Sequence, residues 1–536
     1  MIPTLPNASL QRLLSALILS LAAAAASAQA QVHVTVDLSK PINLLTDTAI
    51  GFNVAMFTGD NFSLAGAPYL RTTGITAPRY PGNAGIADLY HWSTKSVTPY
   101  KGMEAGYLAP ESDFAHFALM AEKLGNAVIV VNYGTNAAGT GGGEPAEAAA
   151  WVAYANGKPD DPHPIGKDSA GNDWHTVGFW AALRGDAPVS PDDGYNFLRI
   201  HHATPFGFKL WQVGGQVYNN GYFGGHTGTP DLHGAAPSGP KDLGKLKGDS
   251  KLAPAAYANA LNTFSAAMKA VDPSIQIGAA LPTQVDPIKS LPDFTRAVLK
   301  NSCSAIDFVT FDWQTGYPRG PEYKAIDESA LFDNSTSEIG TYIRTSLDDD
   351  KLDCPKGHTP RIAFSPATPI TWPTFDHPVI KAVWIANNYT LLIESGFINI
   401  DWPEAYSDAM MSADHKKFGP AWYGLQMVHI VARTAGDALM DVSPAVSGKV
   451  FVHASVRRDG NVGFMIVNTD TKAPATVKIT LKNGGIGATG KRFDYGQAEF
   501  DKSAGLTATP FTVTGNEFTV TVPAYTVTDL LMPYVK

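Results

Sequence analysis

The feature that most constrains the fold is a repeated alternation of short apolar runs with longer helical patterns between residues 46 and 436. An apolar run of four to eight residues bounded by turn residues is typical of a buried strand. Strands that alternate with helices favour parallel βα units. We interpret eight runs as strands: IGFNVAMF, ITAPRYP, AVIVVNY, FKLWQVG, IQIGAAL, IDFVTFDW, RIAFS and FINIDW.

Between these runs lie segments with apolar residues at i, i+3 and i+4, several of which end at or just before glycine. Five of them predict helices: SDFAHFALMAEKLG, PAEAAAWVAYAN, PAAYANALNTFSAAMKAV, HPVIKAVWIANNYTLLIESG and GPAWYGLQMVHIVART. Eight strand repeats over residues 46–436 predict a (β/α)8 TIM barrel, whose site is expected in the loops that follow the strands.

After residue 437 the pattern changes to strict alternation of apolar and polar residues, interrupted by DG, NGG and GN turns. Examples are VFVHASVRR, ATVKITLK and EFTVTVPAYTVTDLLM. The segment VHVTVDL near the beginning of the chain alternates as well and has no helix after it. We therefore predict a C-terminal antiparallel β-sandwich over residues 437–536 that takes in a strand from residues 31–45.

The first thirty residues have the pattern of a signal peptide. Arg12 is their only charge, an apolar run LLSALILSLAAAAA follows, and ASAQA offers small residues for cleavage after Ala28 or Ala30. This predicts a secreted or periplasmic protein with no membrane span in the mature chain, because no other run approaches the roughly 20 apolar residues required. The alternative is a retained membrane anchor.

The charge balance bears on partners. The formal net charge is -9 with no run of Lys or Arg, which argues against nucleic acid and anionic membranes and favours a neutral partner. Cys303 and Cys354 each precede an apolar run, and an exported protein can keep a disulfide between them. Closing about 50 residues would contribute roughly 4 kcal/mol in the chain-entropy model. Two buried free thiols are the alternative.

Four motifs resemble a known family. APRYPGN with DLYHW, VNYGT with EPAEAAAWVAYANG, LWQVGGQVYNNGYFG and IDFVTFDWQTGYP resemble segments of the clan A glycoside hydrolases, nearest to the family of α-L-arabinofuranosidases numbered 51. The third is similar to the family's WEVGNEVYGNGYYG. The resemblance covers most of the predicted barrel, and it implies a (β/α)8 barrel followed by a β-sandwich, an oligo- or polysaccharide partner and no cofactor.

The resemblance also implies where two catalytic carboxylates belong, and both positions are substituted. The family's acid/base is the Glu of an Asn-Glu pair after the fourth strand, where this chain has Gly215 and Gln216. The nucleophile belongs to a Thr-Glu pair after the seventh strand, where it has Ser365 and Pro366. A neutral amide has no proton to give near neutral pH, and proline offers no nucleophile. The usual retaining mechanism therefore has neither of its groups.

Other acids stand near strand ends. Asp312 follows the sixth strand, Asp401 and Glu404 follow the eighth, and Asp88 follows the second. Asp312 with Glu404 or Asp401 would be about 7 to 10 Å apart, near the spacing of inverting glycosidases. The alternatives are that Asp312 hydrogen-bonds a sugar hydroxyl, that Asp401 caps a loop, or that these are ordinary solvated or salt-bridged acids.

Polar and aromatic residues near the strand ends are candidate sugar contacts, since flat rings suit the C–H faces of sugars. Arg79 and Asn83 are implied by the family motif, and the alternative for rings such as Trp211 and Trp313 is core packing. The predicted substrate-binding residues are Arg79, Asn83, Trp92, Tyr133, Gly215, Tyr218, Trp313, Gln314 and Trp402. The histidines at 91, 201, 202 and 226 lack the spacing of a metal site, so no metal is predicted.

Three functions remain open from the sequence. The first is a saccharide-binding protein that has lost the retaining mechanism. The second is a glycosidase with relocated carboxylates, Asp312 with Glu404 or Asp401. The third is a non-catalytic surface scaffold that uses its β-sandwich as a contact face.

Overall fold

A computed structural model describes residues 31–54, 56, 63–82, 84–98, 108–215, 217–219, 233, 254–281, 292–315, 331–332, 358–369 and 377–536, with the backbone alone at 84–85, 219, 292–293, 312–315, 364 and 366–369. Within these ranges, no helix combines the length and the apolar character that a membrane crossing requires.

The strand β1 (Val32–Leu44) opens the described chain. The strands that follow it up to residue 402 are β2 (Ile50–Phe52), β3 (Arg79–Tyr80), β4 (Tyr90–His91), β5 (Ser96–Val97), β6 (Val128–Val131), β7 (Leu210–Val213), β8 (Gln276–Leu281), β9 (Phe308–Thr315), β10 (Arg361–Pro369) and β11 (Phe397–Trp402). The helices of the described residues are α1 (Ala67–Arg71), α2 (Ala84–Ala87), α3 (Phe114–Leu124), α4 (Pro145–Asn156), α5 (Val177–Gly185), α6 (Pro254–Val271), α7 (Pro292–Ser302), α8 (Ile380–Glu394), α9 (Pro420–Val431) and α10 (Gln497–Asp501).

Eight of the described strands form one parallel sheet in the order β2-β11-β10-β9-β8-β7-β6-β3. A bridge between Asn53 and Arg79 joins the two ends of this order, so that the sheet closes on itself. Each strand thus lies beside its neighbours in the chain, which is the topology of a (β/α)8 barrel. The prediction of eight βα repeats is confirmed, and each predicted strand overlaps one of the observed strands, of which β9 and β10 extend beyond the predicted runs to Thr315 and Pro369.

The inside of the barrel begins with an apolar layer near the start of the strands, made of Val128, Leu210, Phe308, Ala363 and Ile398. The opposite faces of the strands pack against the helices in the main core. Helix α3 shows how the sequence sets its ends. The Asp113 carboxylate accepts a hydrogen bond from the backbone N–H of His116, and Gly125 follows the last turn with a φ of 129°.

The strands after the barrel are β12 (Ala438–Ser443), β13 (Val446–Ser447), β14 (Val450–Val456), β15 (Asn461–Asn468), β16 (Ala475–Lys482), β17 (Gly485–Ile486), β18 (Thr489–Gly496), β19 (Thr509–Thr512), β20 (Glu517–Val522) and β21 (Thr526–Val535). Together with β1 they form an eleven-stranded sheet whose main path runs β19-β18-β21-β15-β14-β12-β1-β16-β20. Strand β1 is antiparallel to β12 and parallel to β16. The predicted β-sandwich and its N-terminal strand are therefore confirmed.

The sheet has two buried faces. One encloses its own apolar core, and Phe464 of β15 packs on Phe518 of β20 across it. The other face packs on the barrel through α8 and α9. There the imidazole of His453 lies 3.0 Å from the Glu394 carboxylate and 3.2 Å from the amide oxygen of Asn387, and all three residues belong to this junction. The sandwich is thus joined to the barrel by a buried surface that includes polar contacts.

Cys303 lies at the end of α7, is fully buried and is disulfide-bonded. Cys354, the partner predicted for it, lies outside the described residues.

Candidate functional site

The turn that follows β7 forms one wall of the candidate site. Gly214 has a φ of 73°, a conformation that favours glycine, and a Cβ there would lie 2.4 Å from the side chain of Val217. Gly215 donates its backbone N–H to the Asp88 carboxylate at 2.8 Å. The other oxygen of Asp88 accepts from the backbone N–H groups of Tyr133 and Gly134 at 3.1 and 3.2 Å. One buried carboxylate therefore ties the ends of β6 and β7 together.

This arrangement decides among the alternatives for Asp88. The sequence predicts a loop acid after the second strand; in the structure Asp88 is fully buried, and its carboxylate accepts from three backbone N–H groups of the described residues. Asp88 holds the residue directly before Gln216 in place. Gln216 itself lies outside the described residues.

Aromatic residues surround the same strand ends. Tyr257 of α6 donates its hydroxyl to the Val213 carbonyl at 2.6 Å and accepts from the Ala280 N–H at 2.8 Å, so that it bridges β7 and β8. Its ring packs edge-on against Tyr133 at 5.0 Å. The imidazole of His233 stacks on Tyr133 at 4.2 Å. Tyr133 therefore contacts two rings, one edge-on and one stacked.

On the opposite side of the barrel mouth, a polar network joins β2, β3 and β10. The Ser365 hydroxyl donates to the side-chain oxygen of Asn53 at 2.9 Å. The Arg79 guanidinium donates to the Gly82 carbonyl at 3.1 Å and approaches the same Asn53 oxygen at 3.4 Å. Ser365 is 6% exposed and Arg79 is 2% exposed. At Ser365, the seventh barrel strand (β10) therefore carries a buried hydroxyl that already donates a hydrogen bond to Asn53.

Asp401 lies beside this network and is 0% exposed. Its carboxylate packs against Gly51, where a Cβ would lie 2.1 Å from one carboxylate oxygen. Neither oxygen has a hydrogen-bond partner of good geometry in the described part of the chain. Burial raises the pKa of Asp401 to about 7, and Ser365 and Arg79 oppose part of this shift by favouring the charged form. Asp401 is a carboxyl group of the barrel interior.

The backbone of β10 is irregular at the pair of residues where the family resemblance places the nucleophile. Phe364 pairs with Phe311 of β9 and Ala367 pairs with Trp313, so Ser365 and Pro366 together oppose the single residue Asp312. Two residues opposite one constitute a β-bulge, and proline has no N–H to give to the ladder. Asp312 is thus the neighbour of the substituted pair across the sheet.

Of the remaining residues predicted for the site, the structure describes the side chains of Trp92, Tyr218, Trp402 and Glu404. The Trp92 ring is fully buried, stacks on Trp151 at 5.7 Å and donates its N–H to the Glu147 carbonyl, which accounts for it as core packing. Tyr218 and Trp402 are also buried. Glu404 is partly exposed, and burial raises its pKa. Asn83 lies outside the described residues, and so do the side chains of Asp312, Trp313, Gln314 and Pro366.

Sequence reasoning missed Asn53, Gln212 and His233. Asn53 and Gln212 are polar residues inside apolar runs, and this was the available signal. The amide of Gln212 donates to the Gly214 carbonyl at 2.7 Å, while its oxygen has no partner among the described residues. His233 sits in a glycine-rich loop and gave no signal. Among the residues that the structure describes, no group of three or more His, Cys, Asp or Glu side chains could hold a metal ion.

Comparison with known proteins gives similarity of structure only. No protein-family model matches the sequence, and no curated protein sequence is significantly similar to it. Solved structures that match include the α-L-arabinofuranosidase of Thermotoga maritima in complex with arabinose (TM-score 0.66, 15% identity, 94% of this chain and 99% of that chain). The family 51 arabinofuranosidase of Xanthomonas axonopodis pv. citri matches with a TM-score of 0.64 at 15% identity over the same shares of the two chains. A family 44 xyloglucanase of Paenibacillus polymyxa matches with a TM-score of 0.59 at 13% identity, over 94% of this chain and 100% of that chain.

Proposed function

From a fold shared with α-L-arabinofuranosidases and other clan A glycoside hydrolases, we propose that this chain is an exported saccharide-binding protein without the retaining mechanism. Its ligand is an oligo- or polysaccharide, bound where the barrel strands end. The signal-like segment at residues 1–30 supports export to the periplasm or the medium.

The observation that carries this proposal is that Ser365 is buried and hydrogen-bonded to Asn53. At the seventh-strand position of the family's nucleophile pair, the chain has a buried hydroxyl that donates to Asn53. Pro366 follows it in a β-bulge, and Gln216 replaces the acid/base of the resemblance. A retaining glycosidase needs a nucleophilic carboxylate and a carboxylic acid about 5 to 5.5 Å apart. Neither position supplies one.

The retention of the surrounding geometry supports binding. Asp88 fixes the turn after β7, Tyr257 bridges β7 and β8, and the Arg79 network fixes the ends of β2, β3 and β10. Hydrogen bonds thus join neighbouring strands at this end of the barrel, and in this fold ligand sites lie at that end.

An activated substrate tests the loss of both groups at once. A 2,4-dinitrophenyl glycoside needs no acid to assist its leaving group, so a protein that had lost only its acid/base would still cleave it at the nucleophile. We expect the mature protein to show no release of dinitrophenolate from the α-L-arabinofuranoside above the buffer rate, and no covalent labelling by a mechanism-based inactivator. Binding of arabinose-containing oligosaccharides should be measurable by calorimetry in the same preparation. Labelling of any Asp or Glu would contradict the proposal.

A second function is favoured by Glu404. It follows β11, is partly buried, and has a pKa raised by burial, as a general acid requires. Asp312 lies opposite the bulge of β10 and would serve as the base of an inverting pair. If this function is correct, an aryl glycoside should be hydrolysed with inversion, and Glu404→Gln or Asp312→Asn should lower kcat at least about 100-fold. The matched control Asp408→Asn, in the loop beyond Glu404, should leave kcat unchanged, and equal rates in all three variants would exclude this pair.

A further inference from the structure

A cavity of about 660 Å³ lies at the opposite end of the barrel from the strand ends described above. Its walls come from the segment before β2, the turn before β3, the end of α3 and the end of α9 with the residues that lead into the sandwich. None of these segments reaches the C-terminal ends of the strands. The cavity is therefore separate from the candidate saccharide site.

Three side chains give this cavity its chemical character, namely Arg71 at the end of α1, His429 in the last turn of α9 and Arg433 just after it. Arg71 donates one N–H to the Lys123 carbonyl at 3.1 Å, which positions its guanidinium at the cavity wall. The Arg433 guanidinium has no hydrogen-bond or ion-pair partner in the described part of the chain. Two guanidinium groups thus line one cavity, and both have N–H donors that make no hydrogen bond to another described residue.

His429 is a partly buried ring in the wall of this cavity. The ring of His429 makes no hydrogen bond to another described residue. Gly74 packs against it with a φ of 79°, and a Cβ on Gly74 would lie 2.8 Å from the ring nitrogen Nδ1. Burial lowers the pKa of His429 to about 4, helped by the charges of Arg433 and Arg457 and opposed by that of Asp437. The ring is therefore neutral near pH 7, and a nearby negative charge would favour its protonation.

One acid, Asp47, also lines the cavity. Among the described residues, no ion pair joins its carboxylate to Arg71 or Arg433. Asp437 is buried, and its carboxylate accepts from the backbone N–H groups of Arg433, Thr434 and Arg458. Neither Asp47 nor Asp437 forms an ion pair with the guanidinium group of Arg71 or Arg433 in the described part of the chain.

We propose that this cavity binds a small anion, with a carboxylate or phosphate group held by Arg71 and Arg433 beside the ring of His429. Guanidinium groups bind carboxylate and phosphate through paired, charge-assisted hydrogen bonds. The volume is in the range of small-molecule sites and leaves room for a ligand larger than the anionic group itself. The lining includes no aromatic ring apart from His429, so the cavity is not built to stack a neutral sugar.

The test uses two anions and one neutral probe on the full mature protein. Inorganic phosphate and D-glucuronate are titrated against it by calorimetry, with D-glucose as the neutral control. We expect saturable binding of at least one anion with a Kd on the order of 1 mM, and none of glucose. Phosphate alone, glucuronate alone, or both would each support the site and would identify phosphate-bearing ligands, carboxylate-bearing ligands, or anions in general.

Variants and a ring signal make the test specific. The double variant Arg71→Gln/Arg433→Gln should weaken anion binding at least 10-fold, while Arg296→Gln, which removes an exposed arginine on α7, should not. Both arginines of the cavity are exposed, so the fold should survive, and the melting temperature without anion checks this. The NMR titration of the His429 ring should shift to higher pH when the anion is bound. Absence of saturable binding, or binding by the double variant as tight as by the parent, would overturn the proposal.

Discussion

The Asp401→Asn variant is expected to remove a loss of stability that the parent protein suffers between about pH 4 and pH 7. The folded-state pKa of Asp401 is raised from 3.8 to about 7 by burial. Between these values the folded state holds a proton that the unfolded state has released, so the free energy of unfolding falls by about 1.4 kcal/mol for each pH unit. Above pH 7 the loss is complete, at roughly 4 kcal/mol. Asparagine has no carboxyl group to ionise and keeps a similar shape.

Chemical denaturation at pH 5 and pH 8 measures this effect. The difference in unfolding free energy between variant and parent should grow in favour of the variant by a few kcal/mol from pH 5 to pH 8. Asp529 in the sandwich also has a raised pKa, but both proteins contain it and its contribution cancels in the difference. The control Asp160→Asn, at an exposed loop position, should show no such growth. An equal difference at both pH values would mean that Asp401 is not the group responsible.

Removing the Asp88 carboxylate is expected to have the other large effect. Asp88→Ala leaves the buried N–H groups of Tyr133, Gly134 and Gly215 without their acceptor. Each unsatisfied buried donor costs about 1 to 3 kcal/mol, so the variant should lose about 4 kcal/mol of unfolding free energy. Because these residues follow β6 and β7 at the proposed ligand end of the barrel, saccharide binding should be lost as well.

The conservative variant separates the two consequences. Asp88→Asn keeps one acceptor oxygen and should lose about half as much stability as Asp88→Ala. Denaturant unfolding and calorimetry on both variants, with Asp160→Ala as the exposed control, give the comparison. If Asp88→Ala unfolds at the same denaturant concentration as the parent, the carboxylate does not hold the strand ends.

The barrel could be predicted from the sequence because its strands are buried on both faces and read as apolar runs. Five of the described helices were not predicted in the same way, namely α1, α2, α5, α7 and α10, and α1, α2 and α10 have at most five residues each. Helix α5, VGFWAALRG, is nine residues long and contains two glycines. Helix α7, PDFTRAVLKNS, has only a few apolar residues, of which Phe294, Val298 and Leu299 are buried. Short or mostly polar segments fall below what periodicity can detect, and tertiary packing decides them.

The candidate site was harder to predict, since its geometry depends on strand register. The run FINIDW gives an alternation but not the face that points inward. Between Ile362 and Ala363 the pairing of β10 with β11 shifts by one residue, which places Asn399 opposite Ala363 and so aligns Asp401 with the interior. The role of Asp88 could not be predicted either, because the donors described for its carboxylate come from two segments about 45 and 127 residues away.

The position of β1 in the sandwich has a consequence for the order in which the chain folds. Val34 pairs with Ile479, more than 400 residues later, and joining two such distant segments of a free chain costs about 5 kcal/mol of loop entropy. The barrel removes most of this cost. At the base of the barrel, the segments that enter and leave it are joined by two backbone hydrogen bonds. The Leu45 N–H donates to the Asp437 carbonyl at 2.9 Å, and the Gly436 N–H donates to the Leu45 carbonyl at 2.8 Å. Once the barrel has folded, the segments that lead to β1 and to β12 already lie side by side. The sandwich can then form at the loop entropy of a short connection rather than of one with more than 400 residues.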